Sequence, residues 1–367
     1  MLTPSDREFG RFITRLIQKD NLKRREAHSA FRSILKDGTT EMQQGAFLAS
    51  LTAKGETVDE VAGCWEAIYA LDTRKVNLDP LAPLVENSGT GMDSFKTFNI
   101  STAASIVAAA GGVRMARHGA RAITSVCGTV DIAEALGVDV DCSTEIVAES
   151  IVRTGIGLFN GMSPRVHPRA LGRILSQISF GSTLNIAASL ANPALPRVAV
   201  RGVYRKEMVP TVAKVMRAIG YKRALVLYGA IDDSARGMDE GSVCGATHCA
   251  ELGESGAINE FTFRPSDFGL QTHSASELVP QKARGEEARS FVALIQGRQN
   301  GARRDAVLLN AGLVFYVAGL AETIGKGITR AAETLSGGKA FDTLEKWVIA
   351  QNRNPQAGLG KLRSWIA

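Results

Sequence analysis

The sequence predicts a large α/β domain on a mixed, mostly parallel sheet, joined to a small all-helical domain. Three observations carry that prediction. The first 80 or so residues place apolar side chains only at helical spacing. From Pro83 onward, short β-like runs alternate with amphipathic helices, the pattern of strands linked by crossover helices. The chain has 367 residues, 45% hydrophobic and 22% charged, which suffices for one large or two ordinary domains around an ample core.

In the N-terminal part, Phe9, Phe12, Ile13, Leu16 and Ile17 mark a first helix. Phe47, Leu48 and Leu51 mark another that ends near Gly55, and Val61, Cys64, Trp65, Ile68 and Leu71 mark a third. No strand pattern precedes Leu84. Residues 113–116 then read as a strand, 134–136 as helix and 138–140 as a second strand. Residues 197–203 and 224–228 read as later strands, separated by an amphipathic helix over 209–219. The Gly- and Ser-rich stretch 230–290 reads either as long active-site loops or as an antiparallel excursion. Helix returns over 304–349, with Ala311, Leu313, Val314, Val317 and Leu320 as its buried face.

Composition narrows the function classes. A net charge of +6 suits a nucleic-acid binder or an enzyme with polyphosphate substrates. The basic residues are spread out, and Lys23-Arg24-Arg25 and Arg303-Arg304 read as solvated helix faces. Cys64, Cys127, Cys142, Cys244 and Cys249 form no Cys-x-x-Cys pair, so neither a disulfide framework nor a zinc site is expected. Asp6, Arg7, Glu8 and Arg11 argue against a secretory signal. The most apolar runs, 100–113 and 307–320, fall short of the roughly 18 residues of a membrane span. A cytoplasmic protein without membrane contact is expected.

Residues 88–112 are the most informative. Gly89 and Gly91 make a turn open to an anion, and Asn99, Ser101 and Thr102 begin an alanine-rich helix. A helix start offers unpaired N–H groups and partial positive charge, which seat phosphate. Asp93 suits a sugar hydroxyl or a magnesium ion better than a phosphate. Residues 117–131 gather two arginines, a histidine and hydroxyls in what reads as a ligand-binding loop. Asp239-Glu240, inside Gly237-Met238-Asp239-Glu240-Gly241, read as magnesium ligands that bridge to substrate phosphates.

In this order the motifs resemble those of the anthranilate phosphoribosyltransferase family, of the nucleoside phosphorylase-like glycosyltransferases. The matching stretches are Gly89-Thr90-Gly91-Met92-Asp93, Asn99-Ile100-Ser101-Thr102, Arg117-His118-Gly119-Ala120-Arg121, 125–131 and Asp239-Glu240. His167-Pro168, Asn192-Pro193, 265–270 and Leu309-Asn310-Ala311 extend the likeness over most of residues 10–345. The resemblance implies a helical domain over 1–83, with a further helical segment at about 165–195. It implies a phosphoribosyl-binding α/β domain over 84–164 and 196–350, with 351–367 left as a tail. It also implies magnesium-dependent transfer from phosphoribosyl pyrophosphate (PRPP) to an aromatic amine. Anthranilate, in tryptophan biosynthesis, is the default acceptor, and the enzyme is a homodimer joined through the helical domain.

The resemblance assigns PRPP to Gly89, Thr90, Gly91, Asp93, Asn99, Ser101, Thr102, Arg117 and Ser125. Asp239, Glu240 and Ser101 are its magnesium ligands. The acceptor side falls to His118, Gly119, Ala120, His167 and Leu175, with the two histidines as packing rather than proton carriers. Three positions depart from the family: Met92 stands for a glycine, Ala120 for an acceptor-contacting asparagine, and Leu175 for the arginine that receives the anthranilate carboxylate. The acceptor pocket is therefore expected to be altered, with Arg165, Arg169 or Arg173 as substitute cations. No acid–base residue is assigned, because an aromatic amine placed against C1 needs positioning most. Two other readings stay open: a non-catalytic nucleic-acid-binding relative, disfavoured because the phosphate motifs persist, and a transferase or phosphorylase for a different aromatic base.

Overall fold

A computed structural model describes residues 4–78, 83–121, 127–178 and 180–366. Four helices come first: α1 (Pro4–Ile17), α2 (Arg24–Leu35), α3 (Glu41–Lys54) and α4 (Val58–Leu71). The sequence reading passed over α2. Its Ala27, Ala30, Phe31, Ile34 and Leu35 are buried, but three charged residues in its first turn masked the period. Gly55 ends α3 as expected, and Thr57 and Glu60 cap α4 reciprocally.

Among the described residues the sheet has eight strands: β1 (Leu84–Gly89), β2 (Arg114–Gly119), β3 (Ile156–Asn160), β4 (Val198–Gly202), β5 (Arg223–Ala230), β6 (Gly237–Met238), β7 (Thr247–Leu252) and β8 (Ile258–Phe263). Strands run in the order β3-β2-β1-β4-β5-β7-β8, parallel from β3 to β5 and antiparallel beyond, while β6 pairs with β5. The antiparallel excursion is thus the reading of 230–290 that the structure supports. Residues 138–140 form no strand. Val138 N–H closes the end of α6 (Thr129–Ala135) on the Ala133 carbonyl, and Asp139 N–H bonds the Gln351 carbonyl. Strands β1 and β3 were not read as such: Glu86, Asn87 and Ser88 break the apolar run of β1, and Gly157 that of β3.

Alternation along β4 and β5 separates two cores. Val200, Leu225 and Leu227 face α5 (Ile100–Ala110) and the C-terminal helices α11 (Arg284–Ile295), α12 (Ala302–Val317), α13 (Ile324–Ser336) and α14 (Lys339–Ala350). Ala199, Ala224 and Val226 face α10 (Met208–Ala218), whose cluster continues into α1–α4. Two short helices, α8 (Leu171–Gln177) and α9 (Thr183–Ala187), pack into that second cluster, on the helical side of the molecule. Helix α7 (Thr144–Thr154) covers β3. The segment 351–367, expected as a tail, instead carries helix α15 (Pro355–Arg363): Leu362 is buried in the core and Trp365 Nε1 donates to the Ala135 carbonyl.

This topology fixes where a ligand sits. From β1 the chain moves outward one way through β2 and β3, then returns to β4 on the other side. Connections therefore diverge between β1 and β4, and a crevice opens beyond their carboxyl ends, the usual ligand position in open α/β sheets.

Candidate active site

At that crevice, Gly89 ends β1 in register with Gly202 ending β4. Both glycines make room for Asp239. A Cβ on Gly89 would stand 2.1 Å from Asp239 Oδ2, and one on Gly202 would stand 1.7 Å from the Asp239 carbonyl oxygen. Asp239 Oδ2 in turn accepts the Gly91 N–H at 2.8 Å. Its neighbour Glu240 reaches the first turn of α5, accepting Ser101 N–H at 3.1 Å and Ser101 Oγ at 2.7 Å. Asn310, in the middle of α12, holds the doublet's far side: its Oδ1 accepts Gly241 N–H at 2.8 Å and its Nδ2 donates to the Gly241 carbonyl at 2.9 Å. So the Asp239-Glu240 doublet and the two glycine and serine turns form one cradle.

The cradle differs from a bare phosphate seat. Thr90 N–H is bound to the Gly202 carbonyl and Gly91 N–H to Asp239, so neither is turned to an incoming anion. Glu240 occupies the α5 terminus through Ser101. Asn99 does not cap the helix; its Nδ2 donates to the Cys127 carbonyl at 3.1 Å. Excess negative charge is the result. Burial and Asp239 together push the Asp93 carboxyl up to about 7 and Glu240 up to about 8, and burial raises Asp239 as well. Lys96, 2.7 Å from Asp93, offsets part of it. Clustered oxygens with too few cations are the donor chemistry of a hard divalent ion. Among the described residues no group of three or more His, Cys, Asp or Glu is placed to hold a metal alone. The donor set of Asp239, Glu240 and Ser101 thus fits magnesium completed by substrate oxygens, the way this ion usually binds.

Arg117 lies on β2, not in a loop, and is fully buried. Its Nη1 donates to Thr102 Oγ1 at 2.8 Å, and its Nε and Nη2 to the Asn87 carbonyl at 3.2 Å. Burial lowers it to about 10, so it stays cationic at neutral pH beneath the start of α5. A second buried arginine was not foreseen. Arg201 donates to the carbonyls of Gly89 and Ser189 and lies 3.8 Å from buried Glu86. The signal was a lone base in the apolar run 198–202, whereas its partner Glu86 sits beside Asn87 and Ser88 and leaves none. Asn310 left a similar trace, an amide inside an apolar helix.

A cavity of about 840 Å³ extends from this cradle to the helical side. Gly89, Thr90, Gly91, Asp93, Asn99, Ser101, Thr102, Arg117, Asp239 and Glu240 line one end; His118, Gly119, Ala120 and Leu175 line the other. His167 does not line it. It stands behind His118, with the two Nε2 atoms 3.2 Å apart, and its Nδ1 lies 2.6 Å from the Asp72 carbonyl. Burial lowers both histidines, His118 to about 3, so both are neutral. Two neutral rings carry two N–H protons, whereas the Asp72 carbonyl, the Nε2 pair and the Ser189 carbonyl ask for three. The weakest of these, His118 Nδ1 to Ser189 at 3.4 Å, is the one left without a proton. Ser125 lies outside the described residues.

Met92 adopts a left-handed backbone, φ +65°, following Gly91 at +71°. A side chain costs about 1–2 kcal/mol there, which explains why glycine fits this position more easily. The Met92 thioether crosses the cleft to Gly181, where a Cβ would come within 3.0 Å of its sulfur. None of Arg165, Arg169 and Arg173 lines the cavity. Arg173 is turned to Gln44, Asp37 and Glu41 of the helical side, where acids draw it away.

No helix among the described residues is long and apolar enough to cross a membrane. The glycosyl transferase family models match in two parts, the helical bundle domain over residues 11–71 and the a/b domain over 81–341. Anthranilate phosphoribosyltransferase of Anaeromyxobacter sp. (strain K) is 38% identical over 341 residues, 92% of this chain and 97% of the relative. The crystal structure of anthranilate phosphoribosyltransferase from Thermus thermophilus matches with a TM-score of 0.83 at 30% identity, over 93% of this chain and 99% of that one. The Saccharomyces cerevisiae enzyme, in complex with PRPP and Mg, shares the fold with a TM-score of 0.80 at 23% identity, over 95% and 98% of the two chains. The chain therefore belongs to the anthranilate phosphoribosyltransferase family and is a glycosyltransferase of the pentosyl-transferring kind.

Proposed function

We propose that this enzyme transfers the phosphoribosyl group of PRPP, with magnesium, to the nitrogen of a small aromatic amine, the relatives being named for anthranilate. One observation carries the reading: Asp239 and Glu240 reach Gly91 and Ser101 across the β1–β4 crevice, in one cavity. In the reaction the amine nitrogen bonds C1 as the C1–O bond breaks, and diphosphate leaves with that bond's electrons. Magnesium, when bound through Asp239, Glu240 and Ser101, supplies neutralisation of the diphosphate's growing charge.

The chain's own residues position the reactants. Lys96 adds a cation at the mouth, and Arg117 fixes Thr102 and lends positive charge below it. Asp93 suits the ribose hydroxyls once Lys96 moves to phosphate. His118, neutral and bonded to His167, is a wall of the acceptor end rather than a proton carrier. The test is diphosphate release from PRPP with aromatic amines. Release is expected only with magnesium and to vanish in Asp239→Asn. Release that persists in Asp239→Asn would refute this reading.

The helical domain is proposed as the homodimer contact. Ile17 at the end of α1 and Met42 at the start of α3 are 67% and 85% exposed, apolar side chains that a second copy would cover.

A further inference from the structure

We infer that the acceptor of this enzyme carries no acidic group: the pocket is built for an uncharged aromatic amine. The inference deepens the transfer reading above and rests on it for the identity of the site. Its basis is the charge inventory of the cavity. The helical-side wall presents Leu171, Leu175, Ile178, Phe180 and Leu184, and its polar groups, Ser176, Asn185 and Ser189, are uncharged. Phe180 is 39% exposed, open to whatever enters.

Among the described residues three cations line the cavity, and each is committed elsewhere. Lys96 stands at the phosphate end, paired with Asp93 before PRPP binds and given to the phosphate on the transfer reading. Arg117 is buried against Thr102 and the Asn87 carbonyl at the phosphate end. Arg121 is forked onto Glu134, with Asp131 and Asp141 beside it, so the balance around it is negative. The undescribed residues 122–126 and 179 are Ala, Ile, Thr, Ser, Val and Ser, and supply no cation.

A carboxylate pressed against this wall would lose its water and meet no counter-charge, and three acids already crowd the far end. An amide or a hydrogen in its place avoids that cost. The transfer itself is unaltered: the amine nitrogen bonds C1, diphosphate departs with the electrons of the C1–O bond, and the amine proton passes to water.

Anthranilate and anthranilamide test this, since they differ in charge and hardly in shape. Each is titrated calorimetrically into the wild-type protein, and PRPP with magnesium is titrated separately. Anthranilamide is expected to bind at least about tenfold more tightly. A smaller preference, none, or the reverse overturns the inference. Binding of the amide without binding of PRPP would sink the transfer reading and leave the pocket chemistry standing; PRPP binding without the amide preference does the opposite. Leu175→Arg, checked for an unchanged circular-dichroism spectrum, puts a guanidinium on the wall and is expected to turn the preference toward anthranilate. A properly folded Leu175→Arg that still favours the amide also counts against the inference.

Discussion

Glu240 shows how single residues set this cavity. A phosphate was expected at the start of α5; a carboxylate sits there instead, held by Ser101 and flanked by Asp239. The sequence displays both partners but not their distance, because 139 residues separate them. Gly89 makes the same point from the opposite side. Gly89→Ala would drive a methyl into the Asp239 carboxylate. We expect magnesium-dependent PRPP affinity to fall roughly 10–100-fold, read by calorimetry, together with a lower melting temperature, since overpacking costs about 1–3 kcal/mol. His118 carries a pH prediction. Its folded value is depressed to about 3, and the unfolded ring titrates near 6.5, so between them the unfolded chain binds more protons. The stability it allows is full above about pH 6.5 and falls as pH drops toward 3. Urea midpoints should show a loss of about 2 kcal/mol by about pH 5, reduced in His118→Gln.

At the scale of elements, periodicity located several helices and the parallel strands β2, β4 and β5, where apolar runs stand out. It failed where local signals conflict with packing. The 138–140 run has β-branched residues yet its N–H groups serve a helix end and the C-terminal segment. Arg117 and His118 looked like loop residues for their polarity, but β2 is buried and pairs them to β3, so both side chains are enclosed. Helix α12 is the element that positions the Asp239-Glu240 loop, through Asn310. Asn310→Ala should cost about 1–3 kcal/mol, since Gly241 loses partners for both backbone groups. Magnesium-dependent PRPP affinity should fall with it. Denaturant unfolding and calorimetry on the same sample check both; a stability loss with full affinity would detach α12 from the cradle.

Over the whole molecule, the helical and α/β parts were separable in sequence because one lacks strand patterns altogether. Their arrangement was not, since α8 and α9 join the helical side from a distant part of the chain. Nor was the pocket wall legible: Leu175 was flagged as a missing arginine, but only packing revealed that Arg173 turns away to α3. Dimerisation belongs to this scale. Ile17→Glu combined with Met42→Glu should convert a dimer to a monomer in sedimentation velocity; a wild-type monomer would remove that proposal. The central claim is that distant turns and the acidic doublet make one cation-dependent PRPP cradle. Calorimetric titration of PRPP tests it most directly, with magnesium and with EDTA, in wild type and Glu240→Gln. Saturable binding in wild type with magnesium alone, lost in the variant, is the predicted result. Equal binding with EDTA, or undiminished binding by Glu240→Gln, would contradict it.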